Sequence, residues 1–287
     1  MAKFNLSAFA DEASAELAGQ IKALVRNDLH FVELRNVDGI TAAKHSDDCL
    51  KEMAKQFAAN GIQVSSMGSP IGKIQITDDF APHVEDFKRT LEAANILGAK
   101  KIRMFSFFMP KEGDPADYRN EVLERLNVLL ELSEAAGIDC CHENEKGIYG
   151  DTAARCLDLY RAFGGRLKAI FDPANYIQCG ESPEKIFDEL YPHLDYMHIK
   201  DALHEDGSVV PAGKGDGHIA EITKKFAQKD GDRFLTLEPH LTVFDGLAGL
   251  QDEEVKHKFT YTSKDEAFDV AVKALKEILI ANGTEFH

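Results

Sequence analysis

Short apolar runs alternate with longer amphipathic ones along the whole chain. The short runs read as strands: Phe4–Phe9, Phe31–Arg35, Gln63–Met67, Lys101–Met104, Ile138–His142, Leu167–Phe171, Tyr196–Ile199 and Phe234–Leu237. Most are followed by a pattern of helical period, such as "SAELAGQIKALVRN", "DDCLKEMAKQFAANG" and "HVEDFKRTLEAANILGA". Gly61, Gly98 and Gly137 close or follow these patterns, where a C-terminal helix cap is expected. The longest pattern, Asp117 to Ala136, carries Leu123, Leu126 and Leu130 on its apolar face, with Val122 and Leu129 beside them. A final helix of about Lys264 to Asn282 keeps the same period through Phe268, Val272, Leu275 and Leu279.

Eight strand–helix units in 287 residues predict a (β/α)8 TIM barrel, spanning residues 1–287 as a single domain. A doubly wound open sheet competes with it. That fold places a glycine-rich phosphate loop after its first strand, and here the first strand leads into "ADEASAE", which has no glycine. The stretch Val243 to Tyr261 is too long for an ordinary loop and is expected to decorate the barrel mouth or a subunit contact.

Composition narrows the partners. The formal net charge of −16 opposes binding to nucleic acid phosphates, and no basic tract or basic amphipathic helix suits a membrane surface. No apolar run approaches the roughly 20 residues that span a bilayer, and the N-terminus turns acidic too early for a secretory leader, so a cytoplasmic protein is expected. The five cysteines lack any C-x-x-C spacing and read as reduced thiols, most of them buried in packing. Cys140 and Cys141 are adjacent, so in a strand they face opposite ways and cannot share one zinc.

The chemistry gathers at the ends of the last four strands. Glu143, Asp172, His198 and Glu238 each close or directly follow an apolar run. In a barrel those ends open into one shared mouth. Singly, each has an ordinary explanation: an Asp before Pro caps a turn or helix, a His ends a strand, a Glu sits in a solvated loop. Three carboxylates brought together would resist ionising, and a divalent cation removes that conflict. Oxygen and nitrogen ligands of this kind suit Mn, Mg, Co or Zn ions.

These residues resemble the xylose-isomerase-like TIM barrels, a superfamily of sugar isomerases, 3-epimerases, dehydratases and apurinic-site nucleases. "HENEKGIYGDT" is similar to the segment closing their fifth strand, "FDPAN" to their Asp-x-x-His segment, "HIKD" to the strand-seven histidine and "LEPH" to the final glutamate. The resemblance implies a divalent metal held by Glu143, Asp172, His198 and Glu238, with Glu143 and Glu238 also moving protons. It further implies a small sugar or polyol substrate and a homo-oligomer, a dimer being expected. Two carboxylates on opposite faces of a substrate can exchange a proton beside a carbonyl that a Lewis acid polarises. Asn175 stands where the family often has a histidine. Lys200, Asp201 and His240 are further candidates for substrate binding, as is Lys214 in "PAGKGDG", which resembles the family's Pro-x-Gly-x-Gly loop. Arg35 and Arg103 are candidates for an anionic group or for salt bridges. The expected function is an isomerase or epimerase. The alternatives are a dehydratase of a cyclitol or keto-polyol and, behind it, a non-catalytic sugar-binding barrel; the charge and the histidine count oppose a nuclease.

Overall fold

The structure is a computed structural model that describes residues 2–243 and 258–287. Eight parallel strands line its centre: β1 (Phe4–Ala8), β2 (Phe31–Leu34), β3 (Gln63–Gly68), β4 (Lys101–Met104), β5 (Asp139–Glu143), β6 (Leu167–Phe171), β7 (Leu194–Ile199) and β8 (Arg233–Leu237). The hydrogen-bonded order is β1-β8-β7-β6-β5-β4-β3-β2, and β1 lies against β2 to bring the sheet round into a nearly closed barrel. The helices between strands are α1 (Leu17–Arg26), α2 (Asp47–Ala59), α3 (Ala81–Leu97), α4 (Arg119–Ala136), α5 (Ala153–Phe163), α6 (Pro173–Gln178), α7 (Pro183–Leu190) and α8 (Ile219–Phe226), with α9 (Lys264–Ala281) after the last strand. The expected barrel is the observed one.

The outer layer is apolar because each helix turns one stripe onto the sheet. Leu24, Phe87, Leu126 and Leu275 meet Leu6, Val32, Ile102 and Leu235 in one buried cluster. Of the expected face of α4, Val122, Leu126, Leu129 and Leu130 are buried and Leu123 is only half covered. Gly98 and Gly137 cap α3 and α4 with left-handed backbone, as their type allows.

The interior of the barrel is different. Strand alternation turns Cys141, Ile170 and Tyr196 inward as a small cluster and leaves Cys140 in the outer core, so the two cysteines do face opposite ways. Around that cluster the interior is polar: Ser7, Glu33, Ser66, Arg103 and Thr236 are all buried. The Ser7 and Ser65 hydroxyls meet across it at 2.8 Å.

Several element boundaries differ from the expectation. β5 runs one residue further, taking Glu143 into the strand, and β7 begins two residues earlier, at Leu194. Between Ala169 and Ile170 the β6–β7 register shifts by one residue. A one-residue shift flips every later side chain to the other face. This one aligns Tyr196 with Ile170 and so aims His198 inward. Two short antiparallel ribbons, Asn36–Val37 with Ile40–Thr41 and Asp201–Ala202 with Val209–Val210, had no periodic signature to announce them. Most of the stretch Val243 to Tyr261, on which the dimer expectation partly rested, lies outside the described residues. Among the described residues no helix is long and apolar enough to cross a membrane.

Candidate active site

Four strand ends meet at the C-terminal mouth of the barrel. Glu143 ends β5, Asp172 follows β6, His198 lies in β7 and Glu238 follows β8. One ligand atom from each lies within 4.8 Å of the other three, and none of the four residues is more than 3% exposed. His198 Nδ1 is 2.9 Å from Glu143 Oε1 and 3.2 Å from Glu238 Oε2. Asp172 does two jobs at once. Its Oδ1 accepts the Asn175 N–H at 2.9 Å and so caps α6, with Pro173 pre-set in the first turn. Its Oδ2 is paired with the Lys200 ammonium at 2.9 Å.

Buried acids in such numbers need compensation, and the barrel supplies it internally. Arg103 Nη1 bridges Glu143 Oε2 at 3.3 Å and Glu238 Oε1 at 3.4 Å. Arg35 donates to Asp11 through Nε and Nη2 and to Glu238 Oε1 at 3.0 Å. Both guanidinium groups also lie over the Phe9 ring, at 4.4 and 4.9 Å from its centroid. Gly68 makes room for that ring, since a Cβ there would come within 2.5 Å of it. Lys200 Nζ stands between Asp172 and Glu238 Oε2, the latter at 3.5 Å.

The charges settle unevenly. Burial pushes the Glu143 carboxyl up, but His198 and Arg103 outweigh it and hold it below the ordinary range. Burial acts the same way on Glu238, where Lys200 and His198 hold it well below. Asp172 goes the other way: burial, with Glu143 and Glu238 nearby, lifts it to about 7 against Lys200. Burial likewise lifts Glu12 to about 8. For His198 burial disfavours the charged ring, yet Glu143 and Glu33 raise it well above the usual value. The two glutamates are therefore held ionised between cations, which is the state a general base requires.

The other expected residues divide. Asn175 reaches the cluster, with Nδ2 donating to Glu143 Oε1 at 3.3 Å and to the Asn144 carbonyl at 2.8 Å. Lys200 is part of it. His240 lies beside it, its Nε2 at 3.5 Å from both Glu12 Oε1 and Glu238 Oε1, on a backbone with φ of 46°. Asp201 is occupied elsewhere: its carboxylate accepts the amides of Gly213, Gly215, Gly217 and Ala202. A Cβ on Gly215 would come within 2.4 Å of it, so the glycines of this loop serve its approach to Asp201. Lys214 rides exposed on the same loop, and the structure does not bring it to the four.

Sequence reasoning missed Asp11, Glu12, Glu33 and Asn144. Asn144 clamps the peptide of Asp172 from both sides, Nδ2 donating to its carbonyl at 3.1 Å and Oδ1 accepting its N–H at 3.0 Å. An Asn directly after Glu143 was the available signal. The cluster passes the chemical test for a divalent cation. It offers three carboxylates and an imidazole, one ligand atom from each lying within 4.8 Å of the others.

Comparison with known proteins places this geometry. A family model described as xylose isomerase-like TIM barrel matches residues 21–254. No curated protein matches the chain at a significant level. Among solved structures, L-ribulose 3-epimerase superposes with a TM-score of 0.76 at 19% identity, covering 99% of this chain and 96% of that one. The probable 3-DHS dehydratase AsbF of Bacillus anthracis gives 0.72 at 18% identity, covering 96% and 98%. The IOLI protein, solved with a zinc atom, gives 0.73 at 14% identity, covering 97% and 99%.

Proposed function

This chain belongs to the xylose isomerase-like TIM barrel family, and from that premise we propose that it is a metal-dependent isomerase or epimerase of a sugar or sugar-like polyol. The observation that carries the reading is the pair Glu143 and Glu238, both buried, both held ionised, and joined through one Arg103 nitrogen. Glu143, Asp172, His198 and Glu238 would hold the ion. When bound, a divalent ion supplies Lewis-acid polarisation of a carbonyl and its neighbouring hydroxyl.

The protein's own groups do the rest. One glutamate takes the proton from the carbon beside the carbonyl. The other, having first picked up a proton from solvent, returns it from its own side, and the first then releases its proton to solvent. Arg103 helps keep Glu143 charged and, by touching both carboxylates, aims them at the same space, while Lys200 and His198 keep Glu238 charged. Lys200 and Arg35 offset the remaining charge. The 3% or lower exposure of these residues shields the transfer itself from bulk water, while the carboxyls exchange their protons with solvent between turnovers. Epimerisation and dehydration, the reactions of the neighbouring enzymes, can both begin with the same proton removal. A dehydratase reading has support in the buried Lys200 and Arg103, cationic donors that can assist a departing hydroxyl.

The test is turnover in D2O with a panel of ketoses and cyclitols. The proposal expects deuterium at the reacting carbon of a product of unchanged composition. Glu143→Gln and Glu238→Gln should each lower kcat by about 10²–10⁴-fold, the usual contribution of a general base. Full turnover without deuterium uptake refutes the proton route, and a product lighter by one water moves the protein to the dehydratases.

A further inference from the structure

The Glu33 side chain is fully buried inside the barrel, on a strand that contributes none of the four clustered residues. A lone buried carboxylate is costly unless it is hydrogen-bonded. Its bonds run in one direction. The Tyr196 hydroxyl donates to Oε1 at 2.9 Å and lies 3.3 Å from the Ser66 hydroxyl. The other oxygen, Oε2, is 3.3 Å from His198 Nε2. The imidazole itself is held edge-on between two rings, with Phe9 at 5.2 Å and Tyr196 at 5.6 Å between centroids. Its two nitrogens therefore look opposite ways: Nε2 to Glu33 below, and Nδ1 to Glu143 and Glu238 in the mouth.

We propose that Glu33 is the positioning residue for His198, fixing its proton on Nε2 so that the Nδ1 lone pair is presented to the metal. A carboxylate accepts, so it selects the tautomer that donates toward it. Neutral imidazole has one N–H, and placing it on Nε2 leaves Nδ1 as the ligand. Tyr196 holds the other oxygen of Glu33, which stops the carboxylate from rotating away. The chain Ser66, Tyr196, Glu33 and His198 thus carries orientation from the barrel floor to its mouth. This inference rests on metal ligation by His198, and it concerns a residue that touches neither metal nor substrate.

The experiment compares Glu33→Leu and Glu33→Gln with the native protein, using Zn²⁺ as the probe. Calorimetric titration of the chelator-treated protein should show Glu33→Leu binding about 10–100-fold more weakly, the usual effect of losing such a partner. Glu33→Gln keeps an oxygen acceptor and should lose far less. Long-range ¹H–¹⁵N spectra of the zinc-loaded native protein should show His198 protonated on Nε2, and Glu33→Gln should retain that pattern. Native affinity in Glu33→Leu overturns the proposal, as does Glu33→Gln failing as badly as Glu33→Leu. If Glu33→Leu does not fold, a proton on Nδ1 in zinc-loaded Glu33→Gln overturns it. Failure of the native protein to bind zinc at all would instead sink the metal reading itself.

Discussion

Lys200 shares two carboxylates with the proposed ion, and Lys200→Met isolates that sharing. Its ammonium is 2.9 Å from Asp172 Oδ2 and 3.5 Å from Glu238 Oε2, with all three side chains buried. Methionine keeps the length of the apolar stem and removes the charged end. In chelator, the variant leaves the buried Asp172 without its ion-pair partner and Glu238 with one cation fewer, and breaking such a buried pair costs about 3–5 kcal/mol. The unfolding entropy near the midpoint is about 2.1 cal/mol/K per residue, or ~0.6 kcal/mol/K over this chain. The metal-free variant should therefore melt about 5–8 °C lower than the native protein. With saturating Mn²⁺ the same carboxylates gain a divalent counter-charge, so the gap should shrink to less than half. Differential scanning calorimetry in both media reads both numbers. An equal or wider gap with metal would show that Lys200 and the ion do not serve the same acids.

Two further outcomes follow from the same cluster. Asp172→Ala should bring bound metal, measured by elemental analysis after dialysis, from one ion per chain to nearly none while the far-ultraviolet circular dichroism is kept; unchanged stoichiometry refutes the ligand assignment. The metal-free protein should lose stability as pH rises from about 7 to about 8.5, where Asp172, Glu12 and His198 hold protons more tightly folded than unfolded. At lower pH the buried His142 and His240, pushed by burial down to about 3 and about 4, act in the opposite direction. Burial lifts Asp172 from 3.8 to about 7 and Glu12 from 4.5 to about 8. His198 is raised from 6.5 by Glu143 and Glu33, which outweigh its burial. For the two acids the native state keeps a proton that the unfolded chain has released, and for His198 the stabilising charge is lost as pH climbs through its folded value. A melting temperature that rises across this range in chelator contradicts the signs.

The barrel was legible because short apolar-rich strands alternate with segments of helical period, and α/β alternation has few solutions. β4 and β6 have the expected boundaries. Glu143, Asp172, His198 and Glu238 stood out because a charge at the end of an apolar run has few structural reasons to be there. The β6–β7 register shift was hidden, since one extra residue in a strand leaves no mark in composition. Glu33 was hidden for a related cause: inside "FVELR" it reads as an ordinary polar position on a half-exposed strand. The pairing of Arg35 and Arg103 with acids far along the chain depends on closure of the barrel, which no local pattern encodes.

The internal cations also bear on why the proposed chemistry needs Lewis-acid help. Arg103, His198 and Lys200 keep Glu143 and Glu238 ionised at any physiological pH, so both are available as bases without prior proton loss. The same contacts make them weak bases, because what stabilises a carboxylate lowers its appetite for a proton. A weak base can take a proton from carbon only if that carbon has been made more acidic. A carbonyl polarised between the ligand set and buried cationic donors meets that condition, and a bare sugar carbon does not. The arrangement thus divides the work: the bases are tuned for readiness, and the acidity has to come from the substrate's position in the mouth.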